Sequence, residues 1–226
     1  MQRIIAFLRQ LAANNNREWF AAHKAEYQAC KAEFDRFVEQ LVAAVRGFDD
    51  SIPALTPADC TYRIYRDTRF SKNKDPYKTH FGAFICPGGK KSPFSGYYVQ
   101  VGPDDNGFDS GCVLATGNYC VDPKVLKILR EDIELDRGEA FDKAVDSASG
   151  FRLDLDGSLK RCPRGFPADQ PYSHWFLLKN YCLVSHVGVN YFLRPALIKR
   201  LTDDLQKTKP FLDLINRAVE YSLDNN

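Results

Sequence analysis

The 226-residue sequence predicts an α+β fold: a mostly antiparallel sheet, built as a central meander, packed with a long N-terminal helix and C-terminal helices. Three observations carry this. Apolar residues step by three or four from the start of the chain to Arg46, and again after Pro195. Between Cys60 and Ala115 the period changes to alternation or to short aromatic and β-branched runs. Those runs are joined by turn residues and not by helices, which antiparallel neighbours permit and parallel ones do not. With 44% hydrophobic residues the chain is too apolar to be disordered. No repeat or linker divides it, so one domain over residues 1–226 is expected.

Taken in order, the first helix places Ile4, Ile5, Leu8 and Leu11 on one face, and Asn14-Asn15-Asn16 ends it. Asn15 and Glu18 have capping-box spacing for a long second helix reaching about Arg46, with Phe20, His23, Tyr27, Cys30, Phe34, Phe37, Leu41 and Val45 as its stripe. Gly47 and the prolines at 53 and 57 mark a loop. Strands are expected around Cys60–Tyr65, Phe81–Cys86, Gly96–Gly102 and Ser110–Ala115, with turns at Pro87-Gly88-Gly89 and Asp104-Asp105-Asn106-Gly107. Asp122-Pro123 starts a helix as N-cap and first-turn proline, its apolar face being Val125, Leu129 and Ile133. A helix over Gly138–Ser147, a strand or hairpin over Phe151–Lys160 and a strand over Tyr181–Val187 follow. Two amphipathic helices, Pro195–Gln206 and Lys209–Tyr221, close the chain.

Composition narrows the function classes. The seven cysteines are scattered, and no two form a C-x-x-C pair. They read as reduced structural thiols in a cytoplasmic protein, and not as a metal or redox motif. The four histidines show no metal-ligand spacing, so no metal and no cofactor is expected. No apolar run approaches the ~20 residues of a membrane span, and the first nine residues lack the pattern of a signal peptide. Gly88-Gly89-Lys90-Lys91-Ser92 does not fit a phosphate loop, because glycine does not directly precede a Lys-Ser pair. There is no nucleophile elbow and no dinucleotide fingerprint.

The net charge of +2 hides an uneven distribution. From Asp59 to Lys91 there are eight cations and three carboxylates, so this stretch nets +5 and the remainder −3. Its centre reads Arg66-Asp67-Thr68-Arg69-Phe70-Ser71-Lys72-Asn73-Lys74-Asp75-Pro76-Tyr77-Lys78-Thr79-His80. Arginine offers a bidentate fork, lysine a point charge, and the interleaved hydroxyls further donors. The segment therefore suits a small phosphate- or carboxylate-bearing ligand. Arg66, Arg69, Lys74 and Lys78 are its candidate ligand-binding residues, with Arg164 as a further cation. Asp67, Tyr77 and His80 are candidates for proton transfer.

Three functions stay open at this level. The chain is an enzyme or binding protein for a small anion; or a nucleic-acid module using Phe70, Tyr77, Tyr97 and Tyr98 for stacking; or an interaction scaffold in which the charges only pair with one another. A pI near 8.1 speaks against a general polyanion binder. Oligomeric state is not encoded in any feature of the sequence.

Four motifs occur together: Asn15-Asn16-Arg17-Glu18-Trp19-Phe20, the Arg66–Thr79 segment, Gly96-Tyr97-Tyr98 and Pro163-Arg164-Gly165-Phe166. Their order resembles domain-of-unknown-function family 2461 over nearly the whole chain. The resemblance implies a single α+β domain. It implies no reaction, substrate or cofactor, and carries over no catalytic residue.

Overall fold

Helix α1 (Gln2–Ala13) buries Ile4, Ile5, Leu8 and Leu11, the face its periodicity predicts, and Phe7 as well. This computed structural model describes residues 1–225. The next helix begins one residue later than the capping-box spacing suggests. Asn16, not Asn15, is the N-cap of α2 (Arg17–Ala22), and its Oδ1 accepts from the Trp19 amide at 2.9 Å. The long helix is also broken. α3 (Lys24–Arg46) starts after His23, whose ring stacks on Trp19 with centroids 4.0 Å apart and whose Nδ1 donates to the Trp19 carbonyl at 2.8 Å. The apolar stripe continues across this break, so the sequence period does not reveal it.

Thr56 and Asp59 form the capping box of the short helix α4 (Pro57–Cys60). The strand expected from Cys60 to Tyr65 is an extended arm held by two antiparallel bridges, Thr61 to Ala83 and Tyr65 to Tyr77. The meander then follows as β1 (Phe81–Ile85), β2 (Gly96–Val101), α5 (Gly107–Ser110) and β3 (Cys112–Asn118). Helix α6 (Pro123–Asp136) starts where expected, with Asp122 accepting from the Lys124 amide at 2.8 Å. After α7 (Glu139–Ser147), only Arg152–Leu153 of the expected hairpin pairs, as β4, with β5 (Tyr181–Val187). A 3₁₀ turn at Ser173–Leu177 and helix α8 (Val189–Leu193) have no periodic signal. Helices α9 (Leu197–Gln206) and α10 (Lys209–Asp224) end the chain. The strands form one antiparallel sheet in the order β1-β2-β3-β5-β4, and the class is α+β.

The described residues form two compact units. The first comprises residues 1–91, 98–114 and 186–202. Its core joins the inner faces of α1 and α3 to β1, where Phe81 meets Phe34 with ring centroids 5.3 Å apart. The second comprises residues 92–97, 115–185 and the segment from Asp203 onward. Its core gathers Val125, Leu129, Phe141, Trp175, Tyr181, Phe211 and Ile215. Two polar contacts tie that unit together: Trp175 Nε1 donates to Asp142 at 2.9 Å, and the buried Asn216 amide bonds both backbone groups of Ser95. Among the described residues, no helix is long and apolar enough to cross a membrane.

Candidate functional site

The basic segment is the loop and second arm of a ribbon in the first unit. Arm 61–66 runs against arm 76–83, with the Tyr62 amide donating to Gly82, the Lys78 amide to Ile64 at 2.7 Å and the Arg66 amide to Pro76 at 3.0 Å. The ribbon is pinned to the N-terminal helices by Asn15. Its Nδ2 donates to the Tyr77 carbonyl at 2.9 Å, and its Oδ1 accepts from the Tyr77 amide at 3.2 Å. This explains why Asn15 is not the helix cap. Tyr77 itself stacks on Phe20 with centroids 3.9 Å apart and is buried, so its phenol is pushed up from its ordinary range by desolvation. It serves the ribbon as an apolar anchor.

Between the arms, Arg69 and Lys74 find their partners within the loop. Asp67 accepts from the Arg69 amide at 3.2 Å, from Nε at 3.0 Å and from Nη2 at 2.7 Å. The hydrogen bonds from Arg69 hold the Asp67 carboxyl below its ordinary value. Lys74 Nζ donates to the Thr68 carbonyl at 2.9 Å. Arg69 is 77% exposed and Phe70 95% exposed. Asp67, Arg69 and Lys74 thus form a closed, solvated turn.

Arg66 and Lys78 are arranged differently. Both are half-buried, and neither has a carboxylate within 4 Å among the described residues. Arg66 reaches only Ser71 Oγ, at 3.5 Å, the outer limit of a hydrogen bond. Lys78 Nζ lies 5.5 Å from the centre of the Tyr62 ring. Burial pushes the Lys78 ammonium below its ordinary value, and the positive charges of Arg63 and Arg66 push it further.

His80 lies two residues along the same arm. Its Nδ1 is 3.0 Å from the Asp109 carbonyl. A carbonyl can only accept, so Nδ1 carries the proton and the lone pair sits on Nε2. Burial lowers the His80 pKa from its ordinary 6.5 despite the bond to Asp109, with Lys78 and Arg66 adding to the effect, so the ring is neutral near pH 7.

The floor beside these groups comes from β2. Tyr98 lies over Gly82, where a β-carbon would come within 2.6 Å of the phenol oxygen, so glycine admits the ring. Tyr98 Oη donates to Gln100 Oε1 at 2.8 Å. Gln100 Nε2 lies within 3.0–3.3 Å of the carbonyls of Gly107, Phe108 and Gly111, which fixes the turn that presents Asp109 to His80. Sequence reading missed Gly82, Gln100 and Asp109. The available signal was Gln100 itself, a polar residue between Val99 and Val101, which line the core.

The site therefore brings together Arg66, Lys78 and His80 of the expected set, beside Tyr62. It leaves Asp67, Arg69 and Lys74 in the self-paired loop and Tyr77 in the core. Arg164 is exposed in the second unit, in the turn Pro163-Arg164-Gly165. No group of three His, Cys, Asp or Glu side chains among the described residues could hold a metal ion. A family model of conserved hypothetical proteins, DUF2461, matches residues 3–214. No curated protein and no solved structure matches the chain.

Proposed function

We propose that this chain, which belongs to the DUF2461 family of conserved hypothetical proteins, binds a small phosphate- or carboxylate-bearing ligand through Arg66 and Lys78. One observation carries the reading: two half-buried cations sit near each other, with no carboxylate within 4 Å of either among the described residues. Partial desolvation and mutual repulsion both disfavour that arrangement in the free protein. An anion placed between them relieves both costs, with the guanidinium supplying two parallel hydrogen bonds and the ammonium a point charge. Neutral His80 keeps its lone pair on Nε2, the protonation state in which an imidazole can accept a proton from a ligand hydroxyl. The seven cysteines, five of them buried, form no disulfide among the described residues, which supports a reducing cytoplasmic location.

The test is thermal melting in phosphate against chloride at one constant ionic strength. Wild-type protein should melt higher in phosphate, and the Arg66→Gln/Lys78→Gln double variant should lose that difference. Equal melting of the wild type in both salts contradicts the proposal.

The nucleic-acid reading draws on one feature, Phe70, exposed beside the Arg69 guanidinium at 5.8 Å. Two of the four aromatics it needs, Tyr77 and Tyr97, are buried in the core. Retardation of single-stranded oligonucleotides at low salt, lost in Phe70→Ala, would support it; no retardation would remove it.

A further inference from the structure

We infer that Lys78 is an imine-forming amine, one that condenses with the carbonyl of an aldehyde or oxo acid whose anionic group is held by Arg66. The inference rests on the anion-binding reading above and adds to it a substrate class and a covalent step.

The lysines of the basic segment differ in what they touch. Lys74 donates to the Thr68 carbonyl, and Lys90, also half-buried, donates to the Ala58 carbonyl. Lys72 and Lys91 are exposed, where water solvates the ammonium fully. Lys78 is half-buried, and its Nζ has neither a carboxylate nor a hydrogen-bond acceptor in reach among the described residues; an aromatic ring lies 5.5 Å away. A lysine becomes a nucleophile when its neutral form is made accessible, and withdrawing acceptors and solvent while adding neighbouring cations does this. The depressed ammonium pKa of Lys78, caused first by burial and then by Arg63 and Arg66, agrees with that surrounding.

The backbone around the amine is fixed. The Lys78 amide donates to Ile64 at 2.7 Å, and the adjacent Tyr77 is clamped by Asn15 and stacked on Phe20. A reacting amine on such an arm meets a bound carbonyl with little conformational freedom left to lose. In the step itself, the Nζ lone pair forms a bond to the carbonyl carbon, and the resulting carbinolamine expels its oxygen as water. One C–O double bond is replaced by one C–N double bond, the water carries away the two amine protons, and nothing is oxidised or reduced.

The experiment uses the full chain with pyridoxal 5′-phosphate as an anionic aldehyde probe and uncharged pyridoxal as its control, each trapped with borohydride and mapped by peptide mass spectrometry. Trapping leaves an adduct of the probe mass less one oxygen atom. At limiting probe, Lys78 should be modified ~10-fold faster than exposed Lys72 or Lys74, the selectivity expected of an amine activated by its surroundings. Inorganic phosphate should slow the reaction, and pyridoxal should show much less preference for Lys78. Lys78→Arg should lose this adduct; the site mapping in wild-type protein stands whether or not that variant folds. Labelling spread evenly over the exposed lysines overturns the imine inference. If even labelling accompanies a phosphate melting shift, the anion reading survives alone. If Lys78 is labelled selectively by both probes with no effect of phosphate, the amine is reactive, and the anion-binding reading with its Arg66 role fails.

Discussion

The loop from Asp67 to Asp75 and the two arms that flank it carry the same kinds of side chain to opposite effect. In the loop, Arg69 closes on Asp67 with three hydrogen bonds and Lys74 on a carbonyl, so both cations already have partners within the loop. In the arms, Arg66 and Lys78 are half-buried, Lys78 over the Tyr62 ring, with no acid in reach of either among the described residues. A satisfied charge pair at the surface contributes little and needs no ligand to explain it. A pair of like charges held partly out of water is a cost to the free protein, and one that a bound anion removes. The density of charge in a motif is therefore a poor guide to a site; the balance of partners at each charge is the better one.

The largest effect should come from removing the support under the arms. Phe20→Ala takes away the ring on which Tyr77 stacks and should destabilise the protein by about 3–5 kcal/mol in chemical denaturation, the usual range for a buried phenylalanine. Asn15→Ala leaves the Tyr77 amide and carbonyl without their partner and should cost about 1–3 kcal/mol, read the same way. Both should also abolish the response to phosphate, because the arms that carry Arg66 and Lys78 lose their anchor. Stability retained in Phe20→Ala would mean that the ribbon is held by something else.

The next test sets the arms against a purely structural charge network. In chloride, Arg66→Gln/Lys78→Gln should melt no lower than the wild type, since the substitution removes repulsion and breaks no ion pair. A sharp fall in melting temperature would show instead that the two cations hold the fold together.

A smaller effect concerns pH. His80 has a folded pKa below its ordinary 6.5, so the unfolded chain takes up a proton first as the pH falls. Stability contributed by the neutral ring is whole above the ordinary value, declines as pH drops below it, and is lost once the folded pKa is passed. Between pH 7 and 5 the wild type should therefore lose more stability than His80→Gln, in which this group is absent. A smaller loss in the wild type would reverse the sign. The smallest effect belongs to the loop: Arg69→Ala should leave both the melting temperature and the phosphate response unchanged, because its pair with Asp67 is solvated and apart from the arms.

Much of the fold was legible in the sequence where periodicity is set by one buried face. Helices α1, α6 and α10 and strands β1, β2 and β5 lie close to where their patterns place them. The break at His23 was not legible, because Phe20, His23 and Tyr27 keep helical spacing while a stack on Trp19 turns the chain between them. Asn15 and Asn16 are chemically alike, and only the distant backbone of Tyr77 decides which one caps the helix. For the site, the sequence showed a run of cations. It could not show that the Asp67 turn would fold Arg69 back on itself while the bridge from Tyr65 to Tyr77 leaves Arg66 and Lys78 unanswered. That division depends on pairing between residues apart in sequence, which local pattern does not encode. Gln100 is the exception, a polar residue amid a core strand whose meaning appears only with its three carbonyl partners.

Where the anion binds is read out by a backbone amide map of the ¹⁵N-labelled protein titrated with inorganic phosphate at constant ionic strength. Saturable shifts should concentrate on residues 62–66, 78–82 and 109, and should vanish in Arg66→Gln/Lys78→Gln. Shifts confined to the loop around Arg69 and Lys74, or none that saturate, would contradict binding at Arg66 and Lys78.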